Sequence, residues 1–144
     1  MSLQELQDRL DIEDLPKRYA MALDARDWVA VDGCFMADAD VQGTTLQGKY
    51  PDYVANLRRV VEQFHTTMHF LGTQLTVVDG DVGRVTTYCI AFHLGVGIEE
   101  LVVGVQYHDE VMRVDGGWKI SKRRVDGVWS RALSGEIKDL VALR

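Results

Sequence analysis

The chain has 144 residues, 47% of them hydrophobic and 26% charged, with a formal net charge of −6. That length makes one domain, 1–144, able to bury a core without metal or disulfide staples. The acidic balance, with no basic block, speaks against nucleic acid or an anionic membrane surface as partner. No apolar run reaches the length of a membrane span, and the polar start from Ser2 to Asp14 is unlike a secretory signal. Cys34 and Cys89 sit in apolar patterns without metal-ligand spacing, which reads as small buried thiols in a reducing cytoplasm.

The first third reads as helix. Ser2 and Glu5 fit a capping box, and Leu6, Leu10, Leu15, Tyr19 and Leu23 recur near helical spacing. Pro16 lies inside that pattern and predicts a break between Asp11 and Leu15. Asp27 can cap a short second helix carrying Trp28, Val31 and Phe35 on one side. A short strand is predicted near Val41, and Gly43 to Gly48 reads as a loop or hairpin. Pro51-Asp52 opens a third helix with Tyr53, Leu57, Val60, Val61 and Phe64 along one stripe.

From Thr66 onward the pattern turns to strands, predicted over 66–71, 74–79, 82–94, 100–113 and 118–129. Asp79-Gly80-Asp81 and Asp115-Gly116-Gly117 are tight-turn signals, so the flanking strands should pair antiparallel; Gly95-Val96-Gly97 is a looser connection. Helices first and long strands afterwards give an α+β fold, with a strongly curved, mostly antiparallel sheet around the N-terminal helices.

Two positions stand out chemically. Asp24 follows the apolar Met21-Ala22-Leu23, which should carry its carboxylate into the core. His69 alternates with Thr67 and Leu71 on one face of a strand, while Met68 and Phe70 take the other. A half-buried imidazole needs a partner, and a carboxylate that holds one makes a proton-abstracting base. Asp24 could equally be a solvated helix end, and His69 a satisfied core histidine. His93 shares a face with Cys89 and Ala91 and could reach a cavity; His108 belongs at the surface, and His65 suits a helix end. Neither the histidines nor the cysteines have metal-site spacing, so no metal and no cofactor is expected.

Arg18-Tyr19-Ala20-Met21-Ala22-Leu23-Asp24 before Asp27-Trp28, then Thr67-Met68-His69, Val78-Asp79-Gly80-Asp81 and Asp115 to Arg123 occur in the order of a known family. Together they make the chain resemble the SnoaL-like branch of the NTF2-like superfamily, over about Leu10 to Val125. The resemblance implies a cone-shaped α+β barrel. Within that branch it looks most like scytalone dehydratase, bile-acid 7α-dehydratase and hexachlorocyclohexane dehydrochlorinase, lyases that use a His–Asp dyad. It therefore implies Asp24 and His69 as the dyad. The strand Trp118 to Arg123 is similar to one in the dehydrochlorinase whose arginine lines the pocket, which implies a pocket role for Arg123. The spacing of Tyr19 to Asp24 is that of the bile-acid enzyme, and a tyrosine there favours oxygenated substrates over halides.

The residues themselves leave two of these roles open. Tyr19 is rotated from Asp24 by roughly 140° along a helix, so it could be ordinary core. Arg123 has the opposite strand parity to Trp118 and Ile120 and joins their face only if a bulge intervenes; otherwise it is a surface residue beside Lys122 and Arg124. The expected function is a cofactor-free dehydratase acting on a small, largely apolar, oxygenated cyclic molecule. Asp24, His69, Tyr19 and Arg123 are its expected catalytic residues. A ketosteroid-isomerase-type reaction, or a non-catalytic assembly module like the small subunit of ring-hydroxylating dioxygenases, are the alternatives. Apolar residues at both parities of the late strands predict a homodimer or homotrimer.

Overall fold

The computed structural model describes residues 1–134. Helix α1 runs without interruption over Leu3–Asp24. Its start is the expected capping box: the Glu5 amide donates to the Ser2 hydroxyl at 3.1 Å, and the Ser2 amide donates to the Glu5 carboxylate at 2.6 Å. The break expected at Pro16 does not occur. A proline in a helix interior costs about 3 kcal/mol, but Ile12, Leu15, Tyr19 and Leu23 on either side of it are all at most 3% exposed. Burying four such side chains at about 1.5–3 kcal/mol each outweighs the lost hydrogen bond. Leu6 and Leu10, predicted on that stripe, are about half exposed, and the buried stripe begins instead at Asp8. That carboxylate accepts two hydrogen bonds from Arg113, at 3.0 and 2.8 Å, and one from the Trp118 indole at 3.1 Å. The Arg113 bonds hold its pKa down at about 2 against the opposing effect of burial.

Asp27 caps α2 (Trp28–Gly33) by accepting from the Ala30 amide, as its position suggested. Strand β1 (Phe35–Gln42) follows at once, and the 43–48 stretch turns the chain into the short β2 (Gln47–Lys49). Helix α3 is Tyr50–Val61. The two predicted strands 66–71 and 74–79 are one long β3 (Thr66–Asp79) with an irregularity between Leu71 and Gln74. Then come β4 (Val82–Leu94), β5 (Glu100–Val114) and β6 (Gly117–Leu133).

The six strands form one sheet in the order β2-β1-β6-β5-β4-β3, antiparallel except for β1 against β6. The sheet curves around α1 without closing into a barrel, so β2 and β3 remain edges. Its concave face carries the core. A bulge in β6 sets what that face contains. Ile120 pairs with Val111 and Lys122 with Glu110, which leaves Ser121 as the extra residue. Beyond it the alternation is reset, and Arg123 arrives on the same side as Trp118 and Ile120; all three are buried. The pairing also sets Arg123 directly across from Asp109.

Candidate active site

Asp24 ends α1, and His69 lies near the start of β3, the edge strand against which α1 packs. The two side chains meet. His69 Nδ1 is 2.7 Å from Asp24 Oδ1, and the His69 backbone amide donates to Oδ2 at 2.8 Å. The Thr67 hydroxyl, on the same strand face, donates to Oδ1 at 2.9 Å. Burial alone would push the Asp24 carboxyl up, but the ring and amide bonds from His69, with that from Thr67, hold it below the usual carboxylate range. An ionised carboxylate only accepts, so Nδ1 carries a proton, and in the neutral ring the lone pair is on Nε2. The imidazole is 6% exposed, and among the described residues Nε2 has no hydrogen-bond partner.

Arg26 stands behind this pair. Its backbone has φ of 59°, the left-handed conformation that ordinarily follows a helix as glycine or asparagine. From there the guanidinium donates to the Thr67 hydroxyl at 2.7 Å and to the carbonyls of Leu23, Val61 and Phe64 at 3.0, 3.2 and 3.3 Å. A continuous chain therefore runs Arg26, Thr67, Asp24, His69. It ties the end of α1, the end of α3 and the start of β3 together.

His69 lines a cavity of about 280 Å³ between α1, α3 and the concave face of the sheet. The walls are mostly aliphatic, with Leu23, Leu57, Val103 and Val125 among them, and the 43–46 turn borders them. The polar side chains are Tyr19, Tyr53, Tyr107, His69, His93 and two threonines of that turn. Tyr19 thus reaches the cavity despite its rotation along α1. Burial holds its phenol well above the ordinary range; Tyr53 adds to that, while Arg123 pulls the other way. His93 lies with its ring centroid 5.9 Å from that of His69, and its buried Nδ1 has no partner among the described residues. Burial first, then the neighbouring His69, lowers its pKa and keeps it neutral. A larger hollow of about 840 Å³ lies on the outer face among charged residues such as Arg84, Glu110 and Lys122, away from the dyad.

Arg123, expected at the pocket wall, sits one layer behind it. Its guanidinium is 1% exposed and paired with Asp109 through two bonds of 2.7 and 2.8 Å. It lies 4.3 Å from the ring centroids of both Tyr19 and Tyr107, and it is not among the residues that line the cavity. Burial opposes its charge, but Asp109 outweighs that and keeps it charged. Arg123 can therefore act on the cavity only through the tyrosines.

Residues 4–124 match the family model of the SnoaL-like domain. The chain belongs to the SnoaL-like family. An uncharacterised protein of Mycobacterium tuberculosis and one of Mycobacterium bovis are each 31% identical to it over 128 residues, covering 85% of this chain and 87% of theirs. Among solved structures, LinA aligns with a TM-score of 0.84 at 24% identity, over 95% of this chain and 97% of its own. A scytalone dehydratase-like protein from Novosphingobium aromaticivorans gives 0.82 at 21%, over 94% of each chain. A hexachlorocyclohexane dehydrochlorinase from Novosphingobium barchaimii gives 0.82 at 22%, over 93% and 95%. These neighbours establish the NTF2-like fold.

Four parts of this SnoaL-like site were not singled out from sequence. Arg26, Thr67 and Tyr53 looked like ordinary helix-end, strand and helix residues. Asp109 was legible in principle, because alternation sets it on the inner face with Val105, Tyr107 and Val111, where a charge demands a partner. Among the described residues no cluster of three or more His, Cys, Asp or Glu is arranged to hold a metal.

Arg26→Ala isolates the side chain, since alanine keeps a Cβ in the same left-handed backbone. We expect it to lower unfolding stability by roughly 1–3 kcal/mol, the cost of taking a charged donor from the part-buried Thr67 hydroxyl and Phe64 carbonyl. Chemical denaturation measures this; unchanged stability would mean that the guanidinium ties hold nothing together.

Proposed function

We propose that this SnoaL-like domain is a lyase of the dehydratase type, acting on a small, largely apolar, oxygenated cyclic molecule. The observation that carries the reading is His69, with Nδ1 anchored on Asp24 and Nε2, at an apolar cavity, without a partner among the described residues. The reaction begins when Nε2 removes a proton from the carbon beside a carbonyl. Asp24 keeps its charge and stabilises the imidazolium that forms, as a carboxylate behind a catalytic histidine does. Tyr19 donates a hydrogen bond to the developing oxyanion, and the Arg123 charge behind its ring makes the phenol a better donor. The imidazolium then returns its proton to the hydroxyl on the neighbouring carbon. That carbon–oxygen bond breaks, water leaves, and the base is regenerated. If the proton returned instead to another carbon, the same first step would serve an isomerase.

A cavity of about 280 Å³ is near the lower end of the roughly 300–1,000 Å³ usual for small-molecule sites, which suits a substrate of one or two rings. The buried, unpaired thiols of Cys34 and Cys89 suit a reducing compartment such as the cytoplasm.

His69→Ala and Asp24→Asn should each abolish dehydration of cyclic β-hydroxyketones while leaving the far-UV circular dichroism unchanged. The loss from His69→Ala should be at least the roughly 10²–10⁴-fold typical of general base catalysis. A folded His69→Ala protein that dehydrates such a substrate at the wild-type rate would refute the assignment.

Self-association is the second part of the proposal. Phe70, Ile90, Gly104 and Trp129 are successive cross-strand neighbours on the outer face, and their three large side chains are 66%, 40% and 44% exposed. An apolar row of that kind on a monomer favours an interface. We assign the face to a second copy of the chain, in a homodimer or, failing that, a homotrimer. Light scattering at micromolar concentration should return a multiple of 16.2 kDa. A monodisperse monomer would contradict it.

A further inference from the structure

Asp24 both serves the histidine and endangers it. A carboxylate that took the Nδ1 proton would leave the ring free to carry its proton on Nε2, and the nitrogen at the cavity could then accept nothing from a substrate. The two atoms lie 2.7 Å apart, with the imidazole 6% and the carboxylate 24% exposed, so little water competes for the proton between them.

Thr67 meets this hazard from the same face of β3. It is 4% exposed, and its hydroxyl lies 2.7 Å from Arg26 Nη1 and 2.9 Å from Asp24 Oδ1. A guanidinium can only donate, an ionised carboxylate can only accept, and a hydroxyl has one proton. One arrangement satisfies all three: Thr67 accepts from Arg26 and donates to Oδ1. A hydroxyl that would otherwise rotate is locked as a donor. Its branched side chain restricts χ1 as well.

The lock acts on the oxygen that faces Nδ1. The His69 amide takes the other oxygen, Oδ2, so the Thr67 hydroxyl and the ring share Oδ1. A donor aimed at a carboxylate oxygen favours its charged form and lowers its affinity for a proton. Arg26 cannot easily turn away from its part in this. The same Nη1 donates to the Leu23 carbonyl, and Nη2 donates to those of Val61 and Phe64.

We propose that Thr67 and Arg26 are positioning residues: Arg26 locks the Thr67 hydroxyl as a donor to Asp24, and that donor keeps the shared proton on His69 Nδ1. This rests on the reading of His69 as the base. Neither residue is in the cavity wall, so both act through Asp24 and not on substrate.

Proton NMR of ¹⁵N-imidazole-labelled protein, above the histidine titration range, reads the Nδ1–H resonance without turnover. Thr67→Val keeps the side-chain shape without the hydroxyl, and Arg26 Nη1 retains the Leu23 carbonyl. We expect Thr67→Val to move the resonance downfield, because an oxygen relieved of one donor pulls harder on the other. Arg26→Ala should move it the same way by less, and Thr67→Ser should leave it near the wild-type position. In the Thr67→Val protein, Arg26→Ala should add nothing. A helix–strand joint that merely loosened would instead lengthen the bond and move the resonance upfield or lose it. The proposal is overturned if the wild type shows no Nδ1–H resonance or if the two shifts add in the double variant. It is also overturned if Thr67→Val, or Arg26→Ala where Thr67→Val does not fold, leaves the resonance unmoved or moves it upfield. A downfield shift together with full activity of His69→Ala would keep the lock and discard the base. An unmoved resonance with an inactive His69→Ala would do the reverse.

Discussion

The Asp24 carboxylate holds together parts of this chain that nothing local would join. It sits at the C-terminal end of α1, where the helix dipole disfavours negative charge and the last turn has no basic residue. Three hydrogen bonds offset that disadvantage, two from His69 and one from Thr67, all from one stretch of β3. The result pins the longest helix to an edge strand, a joint that sheet pairing cannot supply. Arg26 reinforces it from outside by accepting an unfavourable backbone conformation so that its guanidinium can reach Thr67 and the end of α3. Local rules are broken twice in three residues, and both breaks serve the imidazole; such conflicts concentrate at functional sites.

The electrostatic consequence reaches the cavity. Behind its wall Arg123 is paired with Asp109 and Arg26 with four acceptors, and among the described residues the lining is aliphatic, aromatic and imidazole side chains with two threonines. In such surroundings a hydrogen bond to a developing anion is worth more than it would be in water. Burial raises the Tyr19, Tyr53 and Tyr107 phenols above their ordinary range, so they keep their protons beside the imidazole. The Arg123–Asp109 pair contributes by stacking against Tyr19 and Tyr107 and fixing where their rings stand.

Much of this was legible in residue patterns. Alternation along Thr67–Leu71 placed His69 inward and Phe70 outward, and the turn signals at Gly80 and Gly116 gave the hairpins. Family motifs, not periodicity, brought Asp24 to His69, because no local signal fixes how a helix end meets a strand more than forty residues later. Pro16 misled because a local penalty was read without the burial that outweighs it. Arg123 depended on a bulge at Ser121, which no residue there announces, and its distance from the cavity depended on Asp109 facing it. The place of Tyr53 in the cavity wall stayed invisible because the room for its ring rests on Gly43, in a turn elsewhere in the chain.

The protonation state of His69 is where the account is most exposed. Nitrogen NMR of ¹⁵N-imidazole-labelled protein, at a pH above the histidine titration range, reads the two ring nitrogens separately. We expect a proton fixed on Nδ1, shared with Asp24, and a bare Nε2; Asp24→Asn should lose that preference. A wild-type spectrum with the proton on Nε2 would contradict it, since the nitrogen at the cavity could then take no proton from any substrate.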